Sequence, residues 1–156
     1  MGQKEFEQMV SFLKEKNVVF EVLEHEPVFT SEQAAKVRGA DLSCGVKALL
    51  FKSDSGKFVL VCLPGNKKVD AKKLAFSLNE KKFSLASPQE VLEKTGCEIG
   101  SVSPLCAIFG VICFFDKLVF DFPVVEFNVG LHTHSVRLSS SELKRVLNPS
   151  ILGFSI

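Results

Sequence analysis

Two apolar, β-rich runs, Val46 to Phe51 and Phe58 to Leu63, are separated by a short stretch holding Ser53, Asp54, Ser55 and Gly56. A connection that short joins antiparallel neighbours and has no room for the crossover helix of a parallel pair, so the runs predict a hairpin. Pro64 and Gly65 end it. Four further strand candidates, Ile108 to Phe115, Leu118 to Phe120, Val124 to Asn128 and Ser135 to Leu138, follow one another as tightly. This argues against a doubly wound parallel sheet.

Helices alternate with these runs. Phe6, Met9, Val10, Phe12 and Leu13 recur at spacings of three and four, which predicts an amphipathic helix from Glu5 to Lys16, before a short strand from Val18 to Leu23. Thr30 with Gln33 starts a helix that Gly39 closes. Ala71, Leu74, Ala75 and Leu78 mark another within Asp70 to Leu78, ahead of a β-like segment from Phe83 to Ala86. Ser87, Pro88 and Glu90 supply a cap, a first-turn proline and a capping-box acid for a helix ending at Gly96. Ser139 and Glu142 open the last one, which runs through Leu147 and is stopped by Pro149. The order predicts an α/β chain of the α+β type: one domain over residues 1–156, with a mixed, mostly antiparallel sheet surrounded by helices.

Composition narrows the function classes. Hydrophobic residues make up 46% and charged residues 24%, enough apolar surface to fill a core. Nineteen Lys and Arg against 18 Asp and Glu leave +1, so no global field drives binding to nucleic acid or an anionic membrane. Gly100, Ser101, Ser103 and Pro104 interrupt the uncharged stretch between Glu98 and Asp116, and Lys4, Glu5 and Glu7 exclude an apolar signal segment at the start. The expectation is a cytoplasmic protein with no membrane contact. Cys44, Cys62, Cys97, Cys106 and Cys113 are odd in number and form no C-x-x-C pair, so free thiols are expected. With 15 Phe and no Trp or Tyr, any stacking on a base falls to phenylalanine.

Several residues invite a chemical reading. Lys47 sits inside an apolar run, where alternation alone points it to solvent, and where a pocket would use it as a cation for a phosphate or ester carbonyl. The Gly100-Ser101-Val102-Ser103-Pro104 segment is either an ordinary loop or a set of backbone amides facing a ligand oxygen. His132 and His134 have a spacing that suits metal ligands, but no motif places a third, so pocket-edge or surface imidazoles are expected and no metal. His25 reads as a solvated loop residue before it reads as a base. From Gly65 to Lys82 six lysines face two acids, a local +4 centred on Lys67, Lys68, Lys72 and Lys73. That is a solvated helix face or a footprint for RNA phosphates. No G-x-S-x-G, P-loop, G-x-G-x-x-G or H-E-x-x-H is present, which lowers the motif-bearing hydrolases, NTPases and dehydrogenases.

Taken in order, a series of segments resembles one family. They are Glu24-His25-Glu26-Pro27, Val46-Lys47-Ala48-Leu49, Leu63-Pro64 with Val69 to Ala75, Thr95-Gly96 through Leu105, Asn128-Val129-Gly130 and Ser135 to Leu143. The family is YbaK, the aminoacyl-tRNA editing domains related to the insertion domain of bacterial prolyl-tRNA synthetase. The resemblance implies a YbaK-like fold and a trans-acting deacylase that hydrolyses the ester of mischarged tRNA, with tRNA as partner, prolyl-tRNA synthetase as a second one, and no cofactor. It places the catalytic role on Lys47 and Gly100, and substrate binding on Ser101, Val102, Ser103, Pro104, Gly130 and, at the pocket edge, His132. It also implies a mechanism without a protein nucleophile: loop amides fix the carbonyl and a ribose hydroxyl of the tRNA helps activate water. Leu23 and Cys106 stand where many members carry an aromatic residue and a glycine, and both are expected to shape the amino-acid pocket. An apolar pocket favours Ala-tRNA(Pro), then Cys-tRNA(Pro) and other small aminoacyl-tRNAs. A non-catalytic tRNA- or synthetase-binding module is the alternative, and it would keep the lysine patch without needing Lys47.

Overall fold

The computed structural model describes residues 2–156. The predicted hairpin forms between β2 (Val46–Ser53) and β3 (Phe58–Pro64), in register from Val46 opposite Pro64 to Lys52 opposite Phe58. Its run of apolar residues is explained by burial on both faces. Leu60 and Cys62 of β3 join one core cluster, with Phe115, Phe127 and Leu143, while Val59, Val61 and Leu63 join a second, with Leu74, Phe83 and Phe154. Successive side chains of a strand point to opposite sides, so a strand covered twice loses its polar alternation.

The strands fall into two sheets. One has the order β4-β2-β3-β5-β8, with β4 (Phe83–Leu85), β5 (Cys113–Asp116) and β8 (Ser150–Leu152). The other has the order β1-β7-β6, from β1 (Phe20–Glu24), β6 (Val124–Asn128) and β7 (His134–Ser139), and is wholly antiparallel. A single bridge between Gly45 and Glu126 links the two at the start of β2. Helices α1 (Gln3–Glu15), α2 (Ser31–Arg38), α3 (Ala71–Ser77), α4 (Pro88–Thr95) and α5 (Ser140–Leu147) surround them. Each of the predicted caps forms: Thr30 accepts from the Gln33 amide, Ser87 and Glu90 close a reciprocal box, and Ser139 accepts from the Glu142 amide. The mixed, mostly antiparallel α+β arrangement expected from the sequence is present. Its parallel pairs are reached through long connections: β3 to β5 through α3, β4 and α4, and β5 to β8 through β6, β7 and α5.

Two expected strands fail for identifiable reasons, and one strand is additional. The strand expected over Ile108 to Phe115 shrinks to β5, because Pro104 and the Ser103 side chain start a 3-10 turn through Phe109, and Gly110 at φ 89° breaks the run. The strand expected over Leu118 to Phe120 is also a 3-10 turn, opened by the Asp116 carboxylate accepting from the Leu118 amide at 3.0 Å. β8, hidden behind Pro149, was not foreseen.

Asp116 does more than start that turn. It is 1% exposed, and its other oxygen accepts from the amides of Phe154 and Ser155, both at 2.9 Å, tying the C-terminal segment to β5. Asp116→Ala leaves these donors without an acceptor and is expected to cost about 3 kcal/mol in chemical denaturation. A loss under about 1 kcal/mol would show that water replaces the carboxylate. Among the described residues no helix is long and apolar enough to cross a membrane.

Candidate active site

Along β2, Val46, Ala48 and Leu50 are buried, whereas Lys47 and Leu49 turn their half-buried side chains to the other face. Val46 to Leu49, from both faces of β2, form one wall of a cavity of about 220 Å³, so Lys47 borders a cavity and not open solvent. The remaining walls come from Phe29 to Ser31 with α2, from Gly100 and Val102, and from Asn128 at the end of β6. Phe29 and Ile99, 63% and 52% exposed, stand near its mouth.

Lys47 enters this cavity as a cation with little to hold it. Among the described residues its Nζ donates only a long 3.4 Å bond, to the Gly65 carbonyl. Burial pushes the ammonium below the usual lysine range, Glu32 opposes that, and the neighbouring Lys68 adds to it. Such a group gains from an incoming anion or carbonyl oxygen.

The loop after α4 adds donors of the same charge preference through its backbone. Gly100 has φ +90°, and a Cβ there would lie 3.2 Å from His132 Cε1 and 3.3 Å from the Phe29 carbonyl. Neither the Gly100 nor the Val102 amide donates to an acceptor among the described residues, and both residues line the cavity. Ser101, Ser103 and Pro104 have a different place. They are buried; Ser101 Oγ donates to Glu98, its amide is spent on the same carbonyl, and Ser103 Oγ accepts from the Leu105 amide. They hold the loop rather than face the cavity. Gly130 also supports from behind: its amide donates to the Ser101 carbonyl at 3.0 Å, and a Cβ on it would meet Met9 and Phe6 of α1. His132 stands at the rim, its ring 4.5 Å from that of Phe29 and its Nδ1 3.0 Å from the Val28 carbonyl. His134 turns away, to Thr133 and the Phe6 ring.

Lys68, Lys72 and Lys73 are exposed and Lys67 is half-buried, and none of the four pairs with an acid among the described residues. The Gly65 carbonyl that accepts from Lys47 Nζ lies two residues before Lys67, which brings the start of this patch beside the cavity. Leu23 and Cys106 do not line it: Leu23 lies in β1 opposite Ser135, and Cys106 is buried with its sulfur 4.0 Å from that of Cys97. All five cysteines are free, Cys44 and Cys113 being half-buried.

Among the cavity residues given no site role in the sequence are Arg38 and Asn128. Arg38 Nη2 donates to Asn128 Oδ1 and its Nε to Ser135 Oγ, both at 3.0 Å. Ser135 also meets His25 Nε2 at 2.8 Å. Burial lowers the Arg38 pKa, opposed by the nearby Glu126. Glu126, 3% exposed, is ion-paired to Arg137 and keeps one buried oxygen without a hydrogen-bond partner. In the sequence Arg38 is one basic residue in a last helical turn, a common complement to the helix dipole. Only the pairing of Asn128 opposite Ser135 in β6 and β7 gives it a role.

A sequence profile described as the aminoacyl-tRNA editing domain matches residues 25–146. Over 98% of its length the chain is 31% identical to 94% of the Multifunctional Ser/Thr-tRNA deacylase ProXp-y of Escherichia coli. The chain belongs to the aminoacyl-tRNA editing domain family. This is the family that the ordered motifs resemble. A proline–tRNA ligase of Thermosipho melanesiensis shares 36% identity over 53% of the chain, which spans only 15% of that ligase. The editing-domain fold recurs in a solved structure described as a candidate trans-editing enzyme for prolyl-tRNA synthetase, with TM-score 0.81, 22% identity and 97% of each chain covered. A hypothetical protein of solved structure gives 0.88 at 22% identity, over 96% of this chain and 99% of that one.

Proposed function

We propose that residues 1–156 act as one editing domain, a cytoplasmic, trans-acting deacylase that hydrolyses the ester between a small amino acid and the 3′ end of tRNA. The observation that carries this reading is that Lys47, Gly100 and Val102 line one small cavity, the two amides having no acceptor among the described residues. Water attack on an ester carbonyl builds negative charge on its oxygen, and preorganised donors are the largest single source of stabilisation for that charge. In this reading the two amides hold the oxygen, and Lys47 holds the terminal phosphate or the ester. A ribose hydroxyl of the tRNA helps activate the water, and the other ribose oxygen leaves with the proton. An ester is already activated, so positioning and charge stabilisation suffice without a protein nucleophile. The cavity is smaller than the roughly 300–1,000 Å³ typical of ligand clefts. It therefore takes the aminoacyl group, while the terminal base stays at the mouth against Phe29.

Thr30, Ser31, Arg38 and Asn128 give the lining a polar character, which favours a hydroxyl-bearing side chain, serine or threonine, over the alanine of Ala-tRNA(Pro). The name of the whole-length relative supports the same choice. The matching segment in proline–tRNA ligases supports prolyl-tRNA synthetase as a partner and tRNA(Pro) as one tRNA body. The test is ester loss from a panel of Ser-, Thr-, Ala- and Cys-charged tRNAs. Fastest loss from Ser- and Thr-tRNA is expected; fastest loss from Ala-tRNA(Pro) would restore the alanine reading, and binding without any hydrolysis would leave a tRNA-binding module.

The lysine patch is expected to carry phosphate contacts of the acceptor region. Lys67→Glu combined with Lys68→Glu should weaken tRNA binding and flatten its salt dependence, because fewer counterions are released. Unchanged affinity and slope would make the patch a solvated face.

A further inference from the structure

Arg38 and Asn128 are held in one defined orientation by a directional chain of hydrogen bonds. His25 Nδ1 lies 2.8 Å from the Glu26 carbonyl, which can only accept, so Nδ1 carries a proton. In the neutral ring Nε2 is then the acceptor, and the Ser135 hydroxyl donates to it at 2.8 Å. Ser135 Oγ in turn accepts from Arg38 Nε, and Arg38 Nη2 donates to Asn128 Oδ1, both at 3.0 Å. Asn128 Nδ2 donates to the Leu131 carbonyl at 3.2 Å. A flipped amide would face donor to donor and acceptor to acceptor, so both partners fix its orientation.

What remains after this chain is used up is chemically specific. Arg38 Nη1 has no acceptor among the described residues and is not among the buried, unpartnered atoms. It lies beside the cavity-lining Gly45, where a Cβ would approach it at 3.4 Å. Asn128 Oδ1 has a second lone pair. Free guanidinium donors and one free acceptor lone pair thus belong to neighbouring residues of the cavity wall. A hydroxyl matches them, since it accepts and donates at once; a thiol does both weakly, and a methyl group does neither.

We propose that Arg38 and Asn128 are the specificity-determining pair of the cavity, Arg38 Nη1 donating to the side-chain hydroxyl oxygen of a seryl or threonyl ester and Asn128 Oδ1 accepting its proton. This rests on the deacylase reading and adds to it the residues that select the substrate side chain. A site that bonds a substrate hydroxyl rejects an analogue lacking it, because its own polar groups are left unpaired.

The experiment compares seryl and alanyl forms of the same tRNA in single-turnover deacylation, and binding of non-hydrolysable seryl and alanyl amides of adenosine. Asn128→Ala and, separately, Arg38→Lys, which keeps a cation near Glu126, are the variants, each checked by thermal melting. The serine-to-alanine ratio is expected to fall roughly tenfold or more in each, in turnover and in analogue binding, the loss of a hydrogen bond worth about 1.4 kcal/mol. Equal losses on both substrates would reduce the pair to scaffolding and overturn the proposal, as would an unchanged ratio. A parent that hydrolyses the esters but binds the two analogues alike overturns the hydroxyl site and leaves the deacylase standing. A parent that prefers the seryl analogue but hydrolyses neither ester supports the pair and overturns the enzyme.

Discussion

Gly100→Val is expected to lower deacylation by roughly a hundredfold or more, the range seen when one preorganised oxyanion donor is lost. The substitution acts twice. A β-branched residue resists φ +90°, and its Cβ enters a gap bounded by His132 at 3.2 Å and the Phe29 carbonyl at 3.3 Å, so the amide must turn or the rim must open. Strain of this kind costs on the order of 1–3 kcal/mol, and Gly100 itself is exposed, so a circular dichroism melt should show a folded, somewhat weakened protein. Parent-like turnover in such a folded variant would remove the Gly100 amide from the chemistry.

Lys47→Ala is expected to reduce single-turnover deacylation tenfold or more, a loss of over about 1.4 kcal/mol in the transition state. Stability should change little, because the ammonium is half-buried and makes only one long bond. Its lowered pKa adds a second readout. The charged form is lost as pH rises through that value, so enzymatic turnover should decline on the alkaline side below the range of an exposed lysine. Lys68→Gln removes a like charge and should move the decline to higher pH. A folded Lys47→Ala variant with undiminished turnover would reassign the residue to the scaffold.

How much of this was legible in the sequence depended on whether the signal was local. Helix starts at Thr30, Ser87 and Ser139 were readable because a cap and its partner lie within three residues. The hairpin was readable because its turn is short. The strand read into Ile108 and Phe109 failed because a proline and a capping serine outweighed β propensity. In the cavity, the ordered motifs named Lys47 and the Gly100 loop, but they could not separate Gly100 and Val102, which line the cavity, from Ser101, whose hydroxyl and amide are spent on the Glu98 carbonyl, and Ser103, whose hydroxyl caps Leu105. Arg38 was illegible: its meaning comes from Asn128 and Ser135, 90 and 97 positions away, which meet only when β6 pairs with β7. Leu23 and Cys106 misled because departure from a family pattern marks a position without saying which wall it occupies.

The central claim is that the cavity between β2 and the Gly100 loop receives the aminoacyl end of tRNA. The most direct measurement is a titration of the isotope-labelled protein with a non-hydrolysable seryl amide of adenosine, followed amide by amide in NMR spectra. The account predicts that the Gly100 and Val102 amides shift most, as they gain an acceptor, with smaller shifts at Gly45 and Asn128. Saturable binding with those four amides unmoved, and shifts gathered elsewhere on the protein, would contradict it.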